Sequence, residues 1–204
     1  MSISHRPGVN RRLLLAAVAC ACALAACKDA ATTAPGAAPA AAAKSTPVSI
    51  EAIAAEAQGF NMGSAMSART IYVFFDAQCP HCAALWAASK PLKSQARFVW
   101  IPVGVLNATS TAQGAALLSA ADPVAAMDQH EASLNSKGGG IGGGGPDDKK
   151  EAVKRNTQLM TRFGFGSVPT VVGKHATTGE LVTIEGSVPT ATLATKLGLT
   201  VPGG

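Results

Sequence analysis

Cys79, Pro80, His81 and Cys82 combine residue types and a spacing suited to redox chemistry. Two cysteines three positions apart on a helix lie one turn from each other. Their sulfurs can close a short disulfide, or one can resolve a mixed disulfide made by the other. Tyr72, Val73, Phe74 and Phe75 precede the pair and favour strand; Ala83, Ala84, Leu85, Trp86, Ala87 and Ala88 follow it and favour helix. Pro80 suits a first helical turn, where its missing N–H is not needed. Cys79 therefore falls at a helix N-terminus, where unpaired N–H groups and the helix dipole favour an anion over a neutral thiol. Cysteines in such settings have pKa values of roughly 3.5 to 7.5, against about 8.5 for a free one. A protonated His81 acts in the same direction.

Three other chemistries compete for the pair. A structural disulfide needs nothing beyond the spacing. A tetrahedral zinc site needs four ligands, and the chain has no second cysteine pair, only the distant His130 and His175. Two thiols alone suit a soft ion such as copper(I), which leaves open a redox-inactive module that binds a metal or a peptide. Redox exchange fits best, because spacing and strand-to-helix context coincide, and it calls for no cofactor and no metal.

The elements that must position these residues begin well inside the chain. Arg6, Arg11 and Arg12 precede an apolar run from Leu13 to Ala26, the layout of a secretory signal and too short to span a bilayer. Leu24-Ala25-Ala26-Cys27 resembles a bacterial lipobox, in which Cys27 would be lipidated. Removing Cys20 and Cys22 with the signal would leave a third, unpaired thiol at Cys27 beside a reactive pair, a hazard that lipidation removes. Lys28 in the next position is similar to lipoproteins passed on to the outer membrane. From there to Pro47 the chain is mostly Ala, Pro, Thr and Gly and cannot offset its ordering entropy, so residues 27–47 read as a disordered tether. Losing the three arginines from 17 Lys+Arg leaves 14 against 12 Asp+Glu, no electrostatic footprint for nucleic acid.

Residues 48–204 can bury one core. Val48 to Ala57 has helical spacing, ended by Gly59. After the first strand and the Cys79 helix, Pro91 stops the helix, and Arg97 to Leu106 reads as a second strand. Asn107 to Ser136 is helical, broken at Asp122-Pro123, with Met127 and Leu134 on its core face. The glycine-rich run from Ser136 to Pro146 lacks the Gly-Lys-Ser/Thr end of a phosphate-binding loop and reads as a flexible connection. Asp147 and Asp148 start a further helix with Lys154, Arg155 and Arg162 toward its C-terminal end and Leu159, Met160 and Phe163 as its apolar contacts. Val171-Val172 and Leu181 to Ile184 are short strands around Thr178-Gly179, and a last helix runs from about Pro189 to Leu197.

This order, with Val168-Pro169 before the final strands, resembles the α/β thioredoxin-like fold, here with a helical insertion at about residues 107–160. Within that fold the chain is similar to bacterial periplasmic thiol:disulfide interchange proteins, most of all the DsbC/DsbG branch. Phe75, Asp76 and Cys79 reproduce that branch's lead-in, and the apolar stretch beginning Pro102, Val103, Gly104, Val105, Leu106 is similar to its helical subdomain. The resemblance implies a thiol-disulfide oxidoreductase with Cys79, Pro80, His81 and Cys82 as catalytic residues. It also implies a cis Pro169 that with Val168 contacts substrate. Implied partners are cysteine-containing exported proteins and a membrane protein that recycles the pair, with the protein in the periplasm. Pro80-His81 matches the oxidising DsbA branch instead. Val73 stands where DsbA and thioredoxin carry a buried carboxylate, and Val168 stands where the DsbC/DsbG branch often has threonine. The tether leaves no room for that branch's N-terminal dimerisation domain, so a monomer is expected.

Overall fold

In the computed structural model, residues 45–142 and 144–201 are described. The expected signal segment, Cys27 and all but the end of the expected tether lie outside them. Among the described residues no helix is long and apolar enough to cross a membrane.

The sheet is organised by β2 (Thr70–Asp76), whose side chains alternate between two buried faces. Ile71, Val73 and Phe75 join one core and Tyr72 and Phe74 the other, as a period of two requires. β2 pairs in parallel with β3 (Arg97–Val103) and antiparallel with β4 (Thr170–Lys174), and β5 (Leu181–Glu185) extends the β4 edge. The other edge is β1 (Phe60–Gly63), antiparallel to β3, giving the order β1-β3-β2-β4-β5. This short strand has no counterpart in the sequence reading. Four residues carry too little alternation to be legible, and what makes them a strand is the free edge of β3.

The helices cover the two faces. α1 (Ile50–Glu56), capped by the Ser49 hydroxyl, and α5 (Asp147–Arg162) enclose Ile53, Phe74, Ile101, Leu159 and Phe163. α2 (Pro80–Ser89) and α6 (Thr190–Leu197) enclose the core that holds Phe75, Leu85, Trp86, Trp100, Cys79 and Cys82. Trp86 and Trp100 meet edge to face at 4.9 Å, and Phe60 and Phe75 complete this cluster beneath α2. Pro91 ends α2 in a short 3₁₀ turn, Lys90–Leu92.

Between β3 and β4 come α3 (Ala108–Ser119), α4 (Pro123–Asn135) and α5. Asn107 and Ser110 close a capping box on α3, and Asp122 caps α4 with Pro123 in its first turn. Lys154 and Arg155 sit midway along α5 and not toward its end, since the helix continues to Arg162.

Two further expectations need correction. The second strand ends at Val103, not Leu106, because the Val105 and Leu106 N–H groups donate to the Asp76 carboxylate at 2.8 and 3.0 Å instead of to a ladder. The described part of the glycine-rich run is tied down rather than loose. The Gln113 side-chain amide donates to the Gly139 and Ile141 carbonyls, and Ser133 Oγ donates to Gly140 O at 3.1 Å. Gly140, at φ +89°, lies so close to His130 that a Cβ there would fall 2.5 Å from the ring.

Candidate active site

Cys79 occupies the N-cap of α2, with Pro80 in the first turn. Its backbone carbonyl accepts from the N–H groups of Cys82 and Ala83 at 3.0 and 3.2 Å, and its own N–H donates to Asp76 O at 3.0 Å. Both cysteines are present as thiols. Cys82 is fully buried, while Cys79, itself only 5% exposed, opens onto a groove of about 530 Å³. The nucleophile candidate is thus less exposed than its position at a helix end implies, because neighbouring elements close over it. His81, Val105, Leu106, Phe165 and Val168 line that groove with it.

The two thiols have opposite electrostatics. A hydrogen bond from the Cys82 thiol is the largest influence on Cys79. The N–H groups of Cys82 and His81 and the charge of His81 add to it, and burial opposes. The net effect lowers Cys79 from 9.0 to about 6. His81 therefore contributes, as expected, but least among these influences. Burial, followed by the bond to Cys79 and the Cys79 charge, pushes Cys82 far above the ordinary thiol range. One sulfur is an anion near neutrality and the other holds its proton.

The Val168–Pro169 peptide bond is cis, and the Val168 carbonyl oxygen lies 3.6 Å from Cys79 Sγ, where it can accept from the neutral thiol but not from the thiolate. The structure therefore brings together Cys79, Pro80, His81, Cys82, Val168 and Pro169 from two distant stretches of chain. It does not bring in His175, whose Nδ1 accepts from the Thr177 and Thr178 N–H groups in the β4–β5 turn. His130 lies nearer but has both ring nitrogens engaged. Nδ1 accepts from Ile141 N–H at 3.0 Å, which leaves the Nε2 hydrogen to donate to Ala77 O at 2.6 Å. Burial lowers its pKa, so the ring is neutral. Among the described residues no group of three or more His, Cys, Asp or Glu is arranged to hold a metal ion.

Two acidic residues near the pair had no assigned role in the sequence reading. Asp76, fully buried, accepts from Gln78 N–H at 2.9 Å with one oxygen and from Val105 and Leu106 with the other. It locks the cysteine loop to the exposed Val105-Leu106 lip of the groove. Glu131 projects from α4 and is only 7% exposed, and its Oε2 has no hydrogen-bond partner. In the sequence Asp76 stands out only as part of the Phe75-Asp76-Cys79 lead-in. Glu131 carries no local signal, since an acid within a helix reads as a solvated face.

A family model described as a thioredoxin-like domain matches residues 62–199. The thiol:disulfide interchange protein DsbG of Pseudomonas aeruginosa is 29% identical over 113 residues, covering 53% of this chain and 43% of that protein. The chain thus spans less than half the length of this curated relative. Similar solved structures include a periplasmic thioredoxin-like protein from Salmonella enterica serovar Typhimurium, at 18% identity and a TM-score of 0.58, covering 75% of this chain and 97% of that one. The catalytic domain of Proteus mirabilis ScsC has 18% identity and a TM-score of 0.57, with 72% and 96% covered. A disulfide interchange protein from Neisseria gonorrhoeae has 20% identity and a TM-score of 0.52, with 69% and 94% covered. At these identities the structural likeness is one of fold.

Proposed function

Because the chain belongs to the thioredoxin-like domain family, we propose that it exchanges disulfides with exported, cysteine-containing proteins through Cys79 and Cys82. The observation that carries this reading is the asymmetry of the two thiols: Cys79 lowered to about 6 at the mouth of a groove, Cys82 buried and held protonated behind it.

In the reducing direction the Cys79 thiolate attacks one sulfur of a client disulfide. A Cys79–client bond forms, the client S–S bond breaks, and the other client sulfur leaves as a thiolate that takes up a proton. Cys82 then gives up its proton and its sulfur attacks Cys79, closing the Cys79–Cys82 disulfide and releasing the second client thiolate. The client cystine is reduced by two electrons and the protein dithiol is oxidised by two. The oxidising direction is the reverse. Stabilising Cys79 as a thiolate favours the reduced form and so makes the disulfide a better oxidant.

His81 assists the thiolate, Pro80 starts the helix without wasting an N–H, and Val168 with Pro169 offers backbone to the client chain beside Cys79. The similarity to DsbG supports clients among exported proteins, and a membrane partner would restore the pair. The signal, the lipid anchor at Cys27, the tether and the helical insertion belong to the same proposal: a monomeric periplasmic domain held near the outer membrane. The test is catalysis of insulin reduction by dithiothreitol, with metal content measured on the same sample. Catalysis by metal-free protein supports the reading; no catalysis, with tight copper(I) retention, replaces it with the metal-binding module.

A further inference from the structure

Glu131 lies on α4, a helix of the insertion. With Gln78, Pro80 and Ala83 it lines a small cavity of about 240 Å³ against the residues on either side of Cys79. A carboxyl so buried, with one oxygen unpartnered, is costly when charged unless a cation or donor comes to it. The charged and titratable groups around it offer none. Lys90, from the end of α2, is taken by Asp128 one turn earlier on α4. Asp128 also accepts from Trp86 Nε1 at 2.7 Å. His130 is neutral and engaged at both nitrogens, and its neighbour Ala77 offers only a carbonyl. His81 lines the groove onto which Cys79 opens and not this cavity. Cys82 is held as a neutral thiol. The remaining charge acting on Glu131 is that of Cys79, which adds to burial in pushing the carboxyl up to about 7.

We propose that Glu131 is a redox-linked proton site, holding a proton while Cys79 is a thiolate and releasing it when Cys79 is tied up in the disulfide. It acts through Cys79 and is therefore a positioning residue for charge. Reduction by two glutathione molecules balances as follows. Two electrons enter the Cys79–Cys82 bond, which breaks, and the glutathione sulfurs form their own disulfide. Of the two protons their thiols give up, one goes to Cys82 and the other to Glu131. With glutamine at position 131 the second proton goes to solvent. This inference rests on the dithiol exchange proposed above.

The linkage has a defined sign. At a pH below the Glu131 titration in both redox forms the carboxyl is neutral, so Glu131→Gln removes no charge. Above about pH 7 the ionised carboxylate is subject to the charge of the Cys79 thiolate in the reduced form only, which disfavours reduction of the native protein. The ratio of the variant's equilibrium constant for reduction by glutathione to that of the native protein should therefore rise with pH and level off above about pH 7. Each unit by which the Glu131 titration differs between redox forms contributes tenfold to that rise. A second measurement needs no variant: carboxyl-carbon NMR on the native protein should give Glu131 a higher titration midpoint in the reduced form than in the oxidised one. A ratio constant with pH, or identical midpoints in the two forms, overturns the proposal while leaving the dithiol reading intact. Failure of the native protein to equilibrate with glutathione at all overturns both.

Discussion

The stability of the reduced protein should depend on pH through Cys79. Its folded pKa lies below its ordinary value, at about 6 against 9.0, so folding gains stability as the thiolate forms. That gain is complete above the unfolded value and is lost as pH falls through the folded one. At 1.36 kcal/mol per unit, the contribution at about pH 8 is about 3 kcal/mol, and near pH 5 it has vanished. Cys82, pushed upward and neutral in both states, adds nothing over this range. The assay is urea unfolding of the fully reduced protein across pH, beside Cys79→Ser as the control that lacks the Cys79 titration and its push on Glu131. The native protein should lose about 3 kcal/mol more than the control between those pH values, somewhat less if Glu131 repels the thiolate at the upper end. Thiolate absorbance should report the same group with a midpoint near 6. Parallel stability curves for the two proteins, or an absorbance midpoint near 9, would refute the lowering of Cys79 by the Cys82 thiol and the N–H groups at the helix end.

Exchange roles differ between the cysteines: Cys82→Ser should accumulate mixed disulfides with client proteins on non-reducing gels, whereas Cys79→Ser should form none; equal trapping by both would reverse the assignment. His81→Tyr should make the disulfide less oxidising, but by less than about tenfold in the glutathione equilibrium constant, because the His81 charge is the smallest of the influences lowering Cys79. A larger change would mean that His81 does more than its charge accounts for. Asp76→Asn should destabilise the domain by on the order of 3 kcal/mol in chemical denaturation, since an amide presents one acceptor where the carboxylate now accepts from three N–H groups. Unchanged stability would show that those N–H groups find other partners.

What the sequence determined by itself is whatever local periodicity and end chemistry encode. The alternation from Thr70 to Asp76 specifies a strand buried on both faces. Pro80 and the alanines after it specify a helix whose N-cap is Cys79. From those alone follow the one-turn spacing of the sulfurs and the sign of the shift at Cys79, because both arise within a few residues of backbone. Protonation in the finished site depends instead on what distant elements bring and on how far they exclude water. Val168 arrives beside Cys79 from 89 positions away, and Asp76 gathers the N–H groups of Val105 and Leu106. Ile141, from a run that reads as mere glycine-rich slack, fixes the tautomer of His130. Glu131 is the sharpest case: on an isolated α4 it would be a solvated acid. Only the packing of that helix beside the Cys79 end of α2 removes its water and leaves it under the charge of a thiolate. Desolvation is a property of the assembled core, and no window of sequence contains it.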